Sequence, residues 1–260
     1  LGIRCTQNKR KRNNNRRLMK PKLLITMGCS WTTGIGTSDP YHHMWPRQLG
    51  IKLGFDKLIN LGIAGGSNSG AIKRFNEMVN NFPINDYDIL VIFLMTEPSR
   101  FSFFIDNKIM EYRANFPKWE APINDNALSH AYLEEIKSLQ DFILEQKFYV
   151  NMLESMCKTN NMDLILTSWN NTYPDFYQIH KNKDIHLFKV PRILKLQNMM
   201  QTDLMSDCGH PNDKGQVWVM NVIIEGIKQN HSKWYSETPN ENLDWEVKNK
   251  LEDWNKKGLI

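Results

Sequence analysis

The sequence predicts an α/β domain with a mostly parallel sheet. Short apolar runs alternate along the chain with segments of helical spacing, which is the pattern of βαβ units. The run Asp88–Met95 is apolar on both faces, as a central parallel strand covered by helices would be. With 260 residues, of which 41% are hydrophobic and 23% charged, the chain has the composition of one globular domain with extended ends.

Hydrophobic periodicity places the elements of this domain in order. Apolar runs bounded by turn residues predict strands at 22–27, 57–61, 88–95, 163–168 and 186–188. Helical spacing predicts helices at 45–53, 67–79, 132–158 and 212–228. The last helix is expected to bury Val217, Met220, Ile223, Ile224 and Ile227. Strands that alternate with helices in this way pair in parallel through right-handed crossovers.

Three stretches fall outside this regular pattern. Residues 96–128 are rich in aromatic residues and broken by three prolines, which predicts an irregular insertion after the strand 88–95. Residues 230–260 are polar with tryptophans at intervals, and we expect a C-terminal arm that packs on the domain or on a partner. Residues 1–18 contain seven basic residues and no acid, so the rest of the chain carries a net charge of −2 although the whole carries +5. The domain itself is predicted to span residues 19–229.

The basic N-terminal segment leaves two interpretations open. Its run KRKRNNNRR cannot bury enough apolar surface to order itself, which predicts a disordered leader. Alternatively, the Lys and Arg side chains within residues 4–17 bind nucleic acid by displacing its counterions. We expect no nucleic-acid binding by the remaining chain, because its charge is close to neutral.

Cysteine usage and hydropathy exclude several classes of protein. Cys5, Cys29, Cys157 and Cys208 lie far apart without a CxxC pair, which argues against a disulfide scaffold or structural zinc site and fits a reducing compartment. No run approaches the roughly 18 apolar residues of a membrane span, and the first apolar run is too short for a signal peptide. We therefore expect a cytoplasmic protein without a membrane partner. The acids form no metal-binding pattern, and neither a metal nor an organic cofactor is predicted.

A serine follows the first strand at a glycine-led turn. Gly28-Cys29-Ser30 leads from the strand 22–27 toward a helix, which would place the Ser30 hydroxyl and amide at the carboxyl edge of the sheet. That arrangement supplies a nucleophile and an oxyanion donor together. The alternative role for Ser30 is to cap the following helix.

A glycine-rich segment follows the second strand, with the sequence Asn60-Leu-Gly-Ile-Ala-Gly65-Gly-Ser-Asn68. Paired glycines let the backbone approach a ligand closely, and amides at a helix start favour an anion. Asn68 either adds a side-chain amide donor or caps the helix. The segment lacks the GxGxxG spacing of a dinucleotide site.

An acid and a histidine, three residues apart, precede the last helix. In Asp207-Cys-Gly-His210-Pro, the carboxylate can hold the imidazole tautomer while the other ring nitrogen faces a nucleophile. Because the carboxyl ends of parallel strands meet at one edge of a sheet, we expect Ser30, Gly65 and His210 to lie close together.

In this order the three blocks resemble those of the SGNH (GDSL-like) hydrolase family, over roughly residues 22–229. The nucleophile block has Cys29 where the family usually has aspartate. The resemblance implies a flavodoxin-like three-layer α/β/α sandwich and a serine esterase. In the family's mechanism, the residues at the positions of Ser30, His210 and Asp207 are the nucleophile, the base and the group that orients the base. The serine amide, the amide at the position of Gly65 and an asparagine side chain hold the oxyanion.

The third block of the family is altered in this chain. After the strand 88–95 the family usually has Gly-x-Asn, whereas this chain has Thr96 where the asparagine is expected. Either Thr96 donates directly, or Asn68 has taken over the role, or the pocket is catalytically weak; we favour Asn68, with Thr96 supporting it. Arg100 is a candidate anchor for an anionic or sugar substrate, or an ordinary surface arginine.

The sequence thus predicts an esterase with a Ser30–His210–Asp207 triad that acts through an acyl-enzyme. Its substrate is expected to be a small-molecule or carbohydrate ester, such as an O-acetyl sugar. The alternative is a binding or structural protein of a larger assembly that kept the fold and lost efficient turnover. His42 and His43 either line the mouth of the site or are ordinary loop histidines. Six aromatic residues of the insertion either form a sugar or acyl pocket or pack among themselves: Phe101, Phe103, Phe104, Tyr112, Phe116 and Trp119. Trp169, after the strand 163–168, is also expected near this edge.

Overall fold

A parallel sheet and the helices on both of its faces form the body of the protein. The computed structural model describes residues 20–96, 100–105, 108–113, 139–168, 186–189 and 203–247. The strands, in chain order, are β1 (Lys22–Met27), β2 (Lys57–Asn60), β3 (Asp88–Met95), β4 (Arg100–Ile105), β5 (Lys108–Arg113), β6 (Asp163–Ser168), β7 (His186–Lys189) and β8 (Asp244–Val247). The helices are α1 (Ser30–Thr33), α2 (Pro40–His43), α3 (Trp45–Lys52), α4 (Asn68–Asn81), α5 (Leu139–Thr159) and α6 (Asp213–Asn230).

The order of the strands fixes where a ligand can bind. Six strands pair in the order β7-β6-β3-β1-β2-β8, and every pair is parallel. Five of them follow the flavodoxin-like order, with β8 added outside β2, so the predicted fold class is confirmed. Because β2 joins one side of β1 and β3 joins the other, the connections diverge at the carboxyl end of β1. Such a switch point opens a crevice, and Ser30 lies directly beside it.

Two apolar clusters give the protein its three layers. Alternate side chains of a strand face opposite sides of the sheet, so each strand contributes to both clusters. The first cluster packs strand residues against α3 and α6, through Leu24, Leu90, Trp45, Leu49, Ile223 and Ile227. The second packs strand residues against α4 and α5, through Ile25, Val91, Ile72, Phe75, Val150 and Leu153. Burial of each such side chain contributes about 1.5–3 kcal/mol.

The predicted insertion is more regular than expected where it is described. β4 and β5 form an antiparallel hairpin, with Arg100 opposite Arg113 and Ile105 opposite Lys108. The physical reason is the density of aromatic and β-branched residues, which fit a pleated strand. The hairpin packs against α4. The rest of the insertion lies outside the described residues.

The buried face of α6 differs from the prediction by a small rotation. Val217 is 38% exposed, so its predicted place in the core is wrong. Gln216 and Val219 occupy the buried face instead, and Met220, Ile223, Ile224 and Ile227 are buried as predicted. A polar residue at the start of this face misled the periodicity argument, because an amide was not expected in the core.

The described part of the C-terminal arm packs on the domain. Trp234 stacks on Phe55 with ring centroids 5.6 Å apart, and its indole Nε1 donates a hydrogen bond of 2.6 Å to Asp163. β8 then pairs with the free side of β2. The predicted leader, residues 1–18, and the end of the arm lie outside the described residues. None of the helices in the described ranges is long and apolar enough to cross a bilayer.

Candidate active site

The turn that carries Ser30 requires a glycine. Gly28 has a φ of +154°, and a Cβ atom there would lie 2.2 Å from Thr32 Oγ1 and 2.9 Å from the carbonyl oxygen of Leu94. The turn is therefore pressed between α1 and β3. It places Ser30, only 5% exposed, as the first residue of α1 at the carboxyl end of β1.

The structure brings Ser30 and His210 together from positions 180 residues apart. Nε2 of His210 lies 2.9 Å from Oγ of Ser30, and Nδ1 lies 3.0 Å from the backbone carbonyl oxygen of Cys208. A carbonyl oxygen only accepts hydrogen bonds, so Nδ1 carries the proton in the neutral ring. Nε2 is then the acceptor and Ser30 donates to it. A hydroxyl that donates to an imidazole nitrogen is the ground-state arrangement of a nucleophile with its general base.

Asp207 does not occupy the position that the sequence predicted for it. Ser206 and Gly209 close a tight turn, in which the amide of Gly209 donates to the carbonyl oxygen of Ser206 at 3.0 Å. Asp207 sits within this turn and its side chain is exposed. Among the described residues, the hydrogen-bond partners of His210 Nδ1 are the carbonyl oxygen and Sγ of Cys208. A backbone carbonyl therefore orients the ring where a carboxylate was expected.

Electrostatics favour the neutral form of His210. Partial burial lowers its pKa below the ordinary value of 6.5, and the hydrogen bond to the Cys208 carbonyl opposes this effect. The positive charge of Arg100 lowers the pKa further, which places the first residue of β4 within electrostatic reach of the ring. Burial and the Arg100 charge thus both favour the neutral imidazole, the form that can accept a proton.

A glycine in the loop after α1 allows the histidine to approach the serine. Gly36 has a φ of +98°, and a Cβ atom there would lie 2.8 Å from Cβ of His210 and 3.0 Å from the carbonyl oxygen of Pro211. The loop therefore packs directly on the histidine block, and any side chain at position 36 would push the two apart.

The glycine-rich segment extends the sheet edge beside the serine turn. The amide of Leu61 donates to the carbonyl oxygen of Thr26 at 2.8 Å, and the amide of Ile63 donates to that of Gly28 at 3.2 Å. Gly65 lies farther along this segment in an exposed turn, with open space where a side chain would be.

Asn68 works as a clamp inside the protein. Its Nδ2 donates to the carbonyl oxygen of Thr96 at 3.0 Å and to Oε1 of Gln146 at 2.8 Å, and its Oδ1 accepts from the amide of Thr96 at 2.8 Å. Both amide hydrogens are used, and Asn68 is 0% exposed. Both hydrogens of the Asn68 amide group therefore bond within the protein in this structure, and its role as an oxyanion donor stays a prediction. Thr96 is likewise buried at the end of β3.

The remaining candidates are two histidines that pair with acids, and aromatic residues whose side chains lie outside the described part of the structure. His42 pairs with Asp39 at 2.6 Å, and His43 pairs with Asp213 at 2.9 Å, both partly exposed contacts that contribute little to stability. Side chains of the hairpin aromatics are not described, and Phe116, Trp119 and Trp169 lie outside the described residues. In the part of the chain that the structure describes, no group of three His, Cys, Asp or Glu residues is arranged to hold a metal ion.

Three buried amides around the site were not predicted as supporting residues. Asn60 accepts from the amide of Gly62 at 3.0 Å and donates to the carbonyl oxygen of Thr32 at 2.9 Å. Gln146 holds Asn68, and Gln216 contacts the serine turn. The signal that could have found Gln216 is its place at a position of α6 where helical spacing calls for an apolar residue.

Comparison with known proteins adds a likeness of fold. Searches of protein-family models and of curated proteins found no match. Among solved structures, the chain is similar to a G-D-S-L family protein from Desulfitobacterium hafniense DCB-2, at 13% identity and a TM-score of 0.42, over 77% of this chain and 99% of that one. It is also similar to the acetyl xylan esterase AlAXEase, at 11% identity and a TM-score of 0.45, over 79% and 99% of the two chains.

A third similar structure is a two-domain esterase active on acetylated mannans, at 13% identity and a TM-score of 0.47. The match covers 85% of this chain and 54% of that one. These similar structures are thus named as GDSL-family and carbohydrate esterases. At such low sequence identities the likeness is one of backbone path and not of activity.

Proposed function

We propose that this protein is a serine ester hydrolase in which Ser30 is the nucleophile and His210 the general base. The observation that supports this most directly is the 2.9 Å contact between Ser30 Oγ and His210 Nε2, with the ring tautomer set by the Cys208 carbonyl. A serine whose only role is to cap a helix does not require an imidazole acceptor within hydrogen-bonding distance. The contact lies at the switch point of the sheet, where ligands of such folds bind.

The reaction proceeds through an acyl-enzyme. Oγ of Ser30 attacks the ester carbonyl carbon while Nε2 of His210 takes the hydroxyl proton. The tetrahedral intermediate expels the alcohol, which receives that proton from Nε2. Water then attacks the acyl-enzyme, Nε2 accepts a proton from the water, and the acid leaves as the Ser30 hydroxyl is restored. No step calls for a metal or an organic cofactor.

The oxyanion depends on backbone amides in this proposal. The amide of Ser30, at the first position of α1, has no intrahelical acceptor, and the exposed turn of Gly65 offers the second amide. Because the amide hydrogens of Asn68 bond within the protein, the proposal relies on two backbone donors among the described residues. Loss of one oxyanion donor typically costs about 10²–10³ in turnover, so we expect a modest catalyst.

Arg100 supports a substrate that carries a negative charge or several hydroxyl groups. Its charge reaches His210, so a ligand anion near the scissile ester would be attracted to the same place. A short acyl group on a carbohydrate, including an acidic one, is the substrate class we propose.

Hydrolysis of p-nitrophenyl acetate and butyrate by the wild type and by Ser30→Ala tests the proposal. We expect turnover that disappears in Ser30→Ala and persists in Ser236→Ala, a control at a serine in the C-terminal arm. The ratio of acetate to butyrate rates sizes the acyl pocket, and acetylated xylan and mannan then test carbohydrate esters. Equal rates in wild type and Ser30→Ala, on folded protein, would refute the esterase.

A binding protein that has lost efficient turnover is the second candidate. Two residues that were predicted to assist catalysis favour this candidate. The Asn68 amide group forms hydrogen bonds within the protein, and Asp207 is exposed to solvent. A fluorophosphonate probe separates the two functions. Covalent labelling of Ser30, located by peptide mass, supports the hydrolase, whereas carbohydrate binding without labelling supports the binding protein.

A further inference from the structure

Two buried side-chain amides hold consecutive carbonyl groups of the serine turn. Nε2 of Gln216 donates to the carbonyl oxygen of Trp31 at 3.2 Å, and Nδ2 of Asn60 donates to that of Thr32 at 2.9 Å. α1 is a single turn, so these carbonyls cannot all be satisfied within the helix. The nucleophile turn is therefore held by side chains from distant parts of the chain.

Gln216 links the serine turn to the histidine block. It lies in the first turn of α6, six residues after His210, and is 0% exposed. Its Oε1 accepts a hydrogen bond of 2.9 Å from the amide of Trp45, the first residue of α3. One side chain thus joins the start of α6, the second residue of α1 and the start of α3.

We infer that Gln216 is a positioning residue that keeps the side chains of Ser30 and His210 within hydrogen-bonding distance of each other. The inference rests on the proposed function. The two catalytic side chains come from segments 180 residues apart, and their contact tolerates little displacement. A misplacement of about 1 Å can cost on the order of 10²-fold in rate. Gln216 is suited to prevent this because its amide is anchored at both ends and fully enclosed.

The chemistry at position 216 requires both a donor and an acceptor. The Trp31 carbonyl needs a donor and the Trp45 amide needs an acceptor, and a glutamine in one fixed orientation supplies both. Methionine would fill a similar volume and supply neither. A carboxylate would supply the acceptor alone, whereas a protonated carboxyl group would supply an acceptor and an O–H donor.

The first test compares kcat and KM for p-nitrophenyl acetate in Gln216→Met and in a matched control. Trp234→Phe removes a partly buried hydrogen bond to Asp163 at the amino end of β6, opposite the site. We expect Gln216→Met to lower kcat by about 10- to 100-fold with KM within about twofold, and Trp234→Phe to leave kcat within about twofold. A kcat for folded Gln216→Met within twofold of the wild type would overturn the inference.

The pH dependence of Gln216→Glu supplies a rescue that a purely structural role would not. Burial raises the pKa of the introduced carboxyl group, and its protonated form reproduces both hydrogen bonds. The ratio of kcat of Gln216→Glu to that of the wild type should rise as the pH falls from about 9 to about 6. The ratio cancels the titration of His210, which both proteins share. A flat ratio overturns the inference, also in the case that Gln216→Met does not fold.

An NMR titration of His210 separates this inference from the proposed function. Partial burial lowers the pKa of His210 in the wild type, and a ring released from Ser30 should titrate closer to the ordinary value. We expect that change in Gln216→Met or, if it does not fold, in Gln216→Asn, whose shorter side chain cannot reach both partners, and not in Trp234→Phe. If the wild type shows no turnover, the proposed function fails, and an unchanged His210 titration in the Gln216 variant overturns the inference as well.

Discussion

The nucleophile side and the oxyanion side of the crevice are built in different ways. The nucleophile side, formed by Ser30 and the turn 206–210, has its reactive atoms in contact and its ring tautomer fixed. The oxyanion side is formed by Gly65, Asn68 and Thr96. Here the side-chain amide of Asn68 forms hydrogen bonds that connect the end of β3 with α4 and α5. In the proposed function, one half of the site is therefore arranged for proton transfer, while the described residues of the other half are expected to offer backbone groups to a developing charge.

This asymmetry has a physical origin in burial. A buried amide must satisfy its hydrogen bonds inside the protein, and Asn68 does so with Thr96 and Gln146. Gly65 is exposed, so water can solvate its amide when no ligand is bound, and an unpaired amide there costs little free energy. A site of this kind is expected to bind and attack an ester more readily than it stabilises the intermediate.

Replacement of His210 should have the largest effect, since it removes the base from the nucleophile side. We expect His210→Gln to lower kcat/KM by about 10⁴-fold or more, with the fold intact. His42→Gln, which removes a surface histidine paired with Asp39, should keep the rate within about twofold. Steady-state hydrolysis of p-nitrophenyl acetate measures both, and a His210→Gln rate near that of the wild type would contradict the serine–histidine pair.

Asn68→Ala should act mainly on stability, because it breaks the clamp of the oxyanion side. Three buried polar groups each lose a hydrogen bond: the amide and carbonyl of Thr96 and Oε1 of Gln146. We expect the free energy of unfolding to fall by about 2–3 kcal/mol in a urea titration, and kcat of the folded variant to change by less than about tenfold. Asn81→Ala, at an exposed asparagine of α4, should change stability by less than about 0.5 kcal/mol.

A different result for Asn68→Ala would revise the comparison of the two sides. If its stability stays close to that of the wild type while kcat falls by about 10²–10³, Asn68 donates to the oxyanion after all. The two sides would then be equally specialised.

The fold was predictable from the sequence because its signals are local. β1, β3 and β6 occupy the predicted residues, since an apolar run bounded by turn residues leaves few alternatives. The contact of Ser30 with His210 followed from topology, because strand ends of a parallel sheet meet at one edge.

The details of the site were not predictable, because they depend on which polar groups the fold leaves without a partner. The sequence cannot show that the Thr96 backbone needs Asn68, or that the Trp31 carbonyl needs Gln216. Nor does the DxxH spacing reveal that the turn after Ser206 directs the acid outward. Each of these outcomes depends on which polar groups meet in the folded structure, and hydrophobic periodicity carries no information about that.

Arg100→Gln should sharpen the comparison through the pH profile. The Arg100 charge lowers the pKa of His210, so its removal raises that pKa. Because the base must be neutral, the acidic limb of kcat/KM against pH should move to higher pH, and the rate near pH 6 should fall by a few fold. Lys228→Gln, at the far end of α6, should leave the limb in place. A limb that stays unchanged in Arg100→Gln would contradict an electrostatic link between the hairpin and the nucleophile side.

Asp207→Asn should have the smallest effect and decides what orients the base. A carboxylate that stabilises the imidazolium is worth about 10⁴-fold in triad enzymes. Here Nδ1 faces the Cys208 carbonyl, and the Asp207 side chain is exposed on the turn, so we expect kcat/KM to fall by less than about threefold. Asp203→Asn, at an exposed acid nearby that pairs with Lys214, is the matched control. A loss of 10³-fold or more in Asp207→Asn alone would mean that the carboxylate swings onto Nδ1 when substrate binds, and the nucleophile side would then be a triad assembled during catalysis.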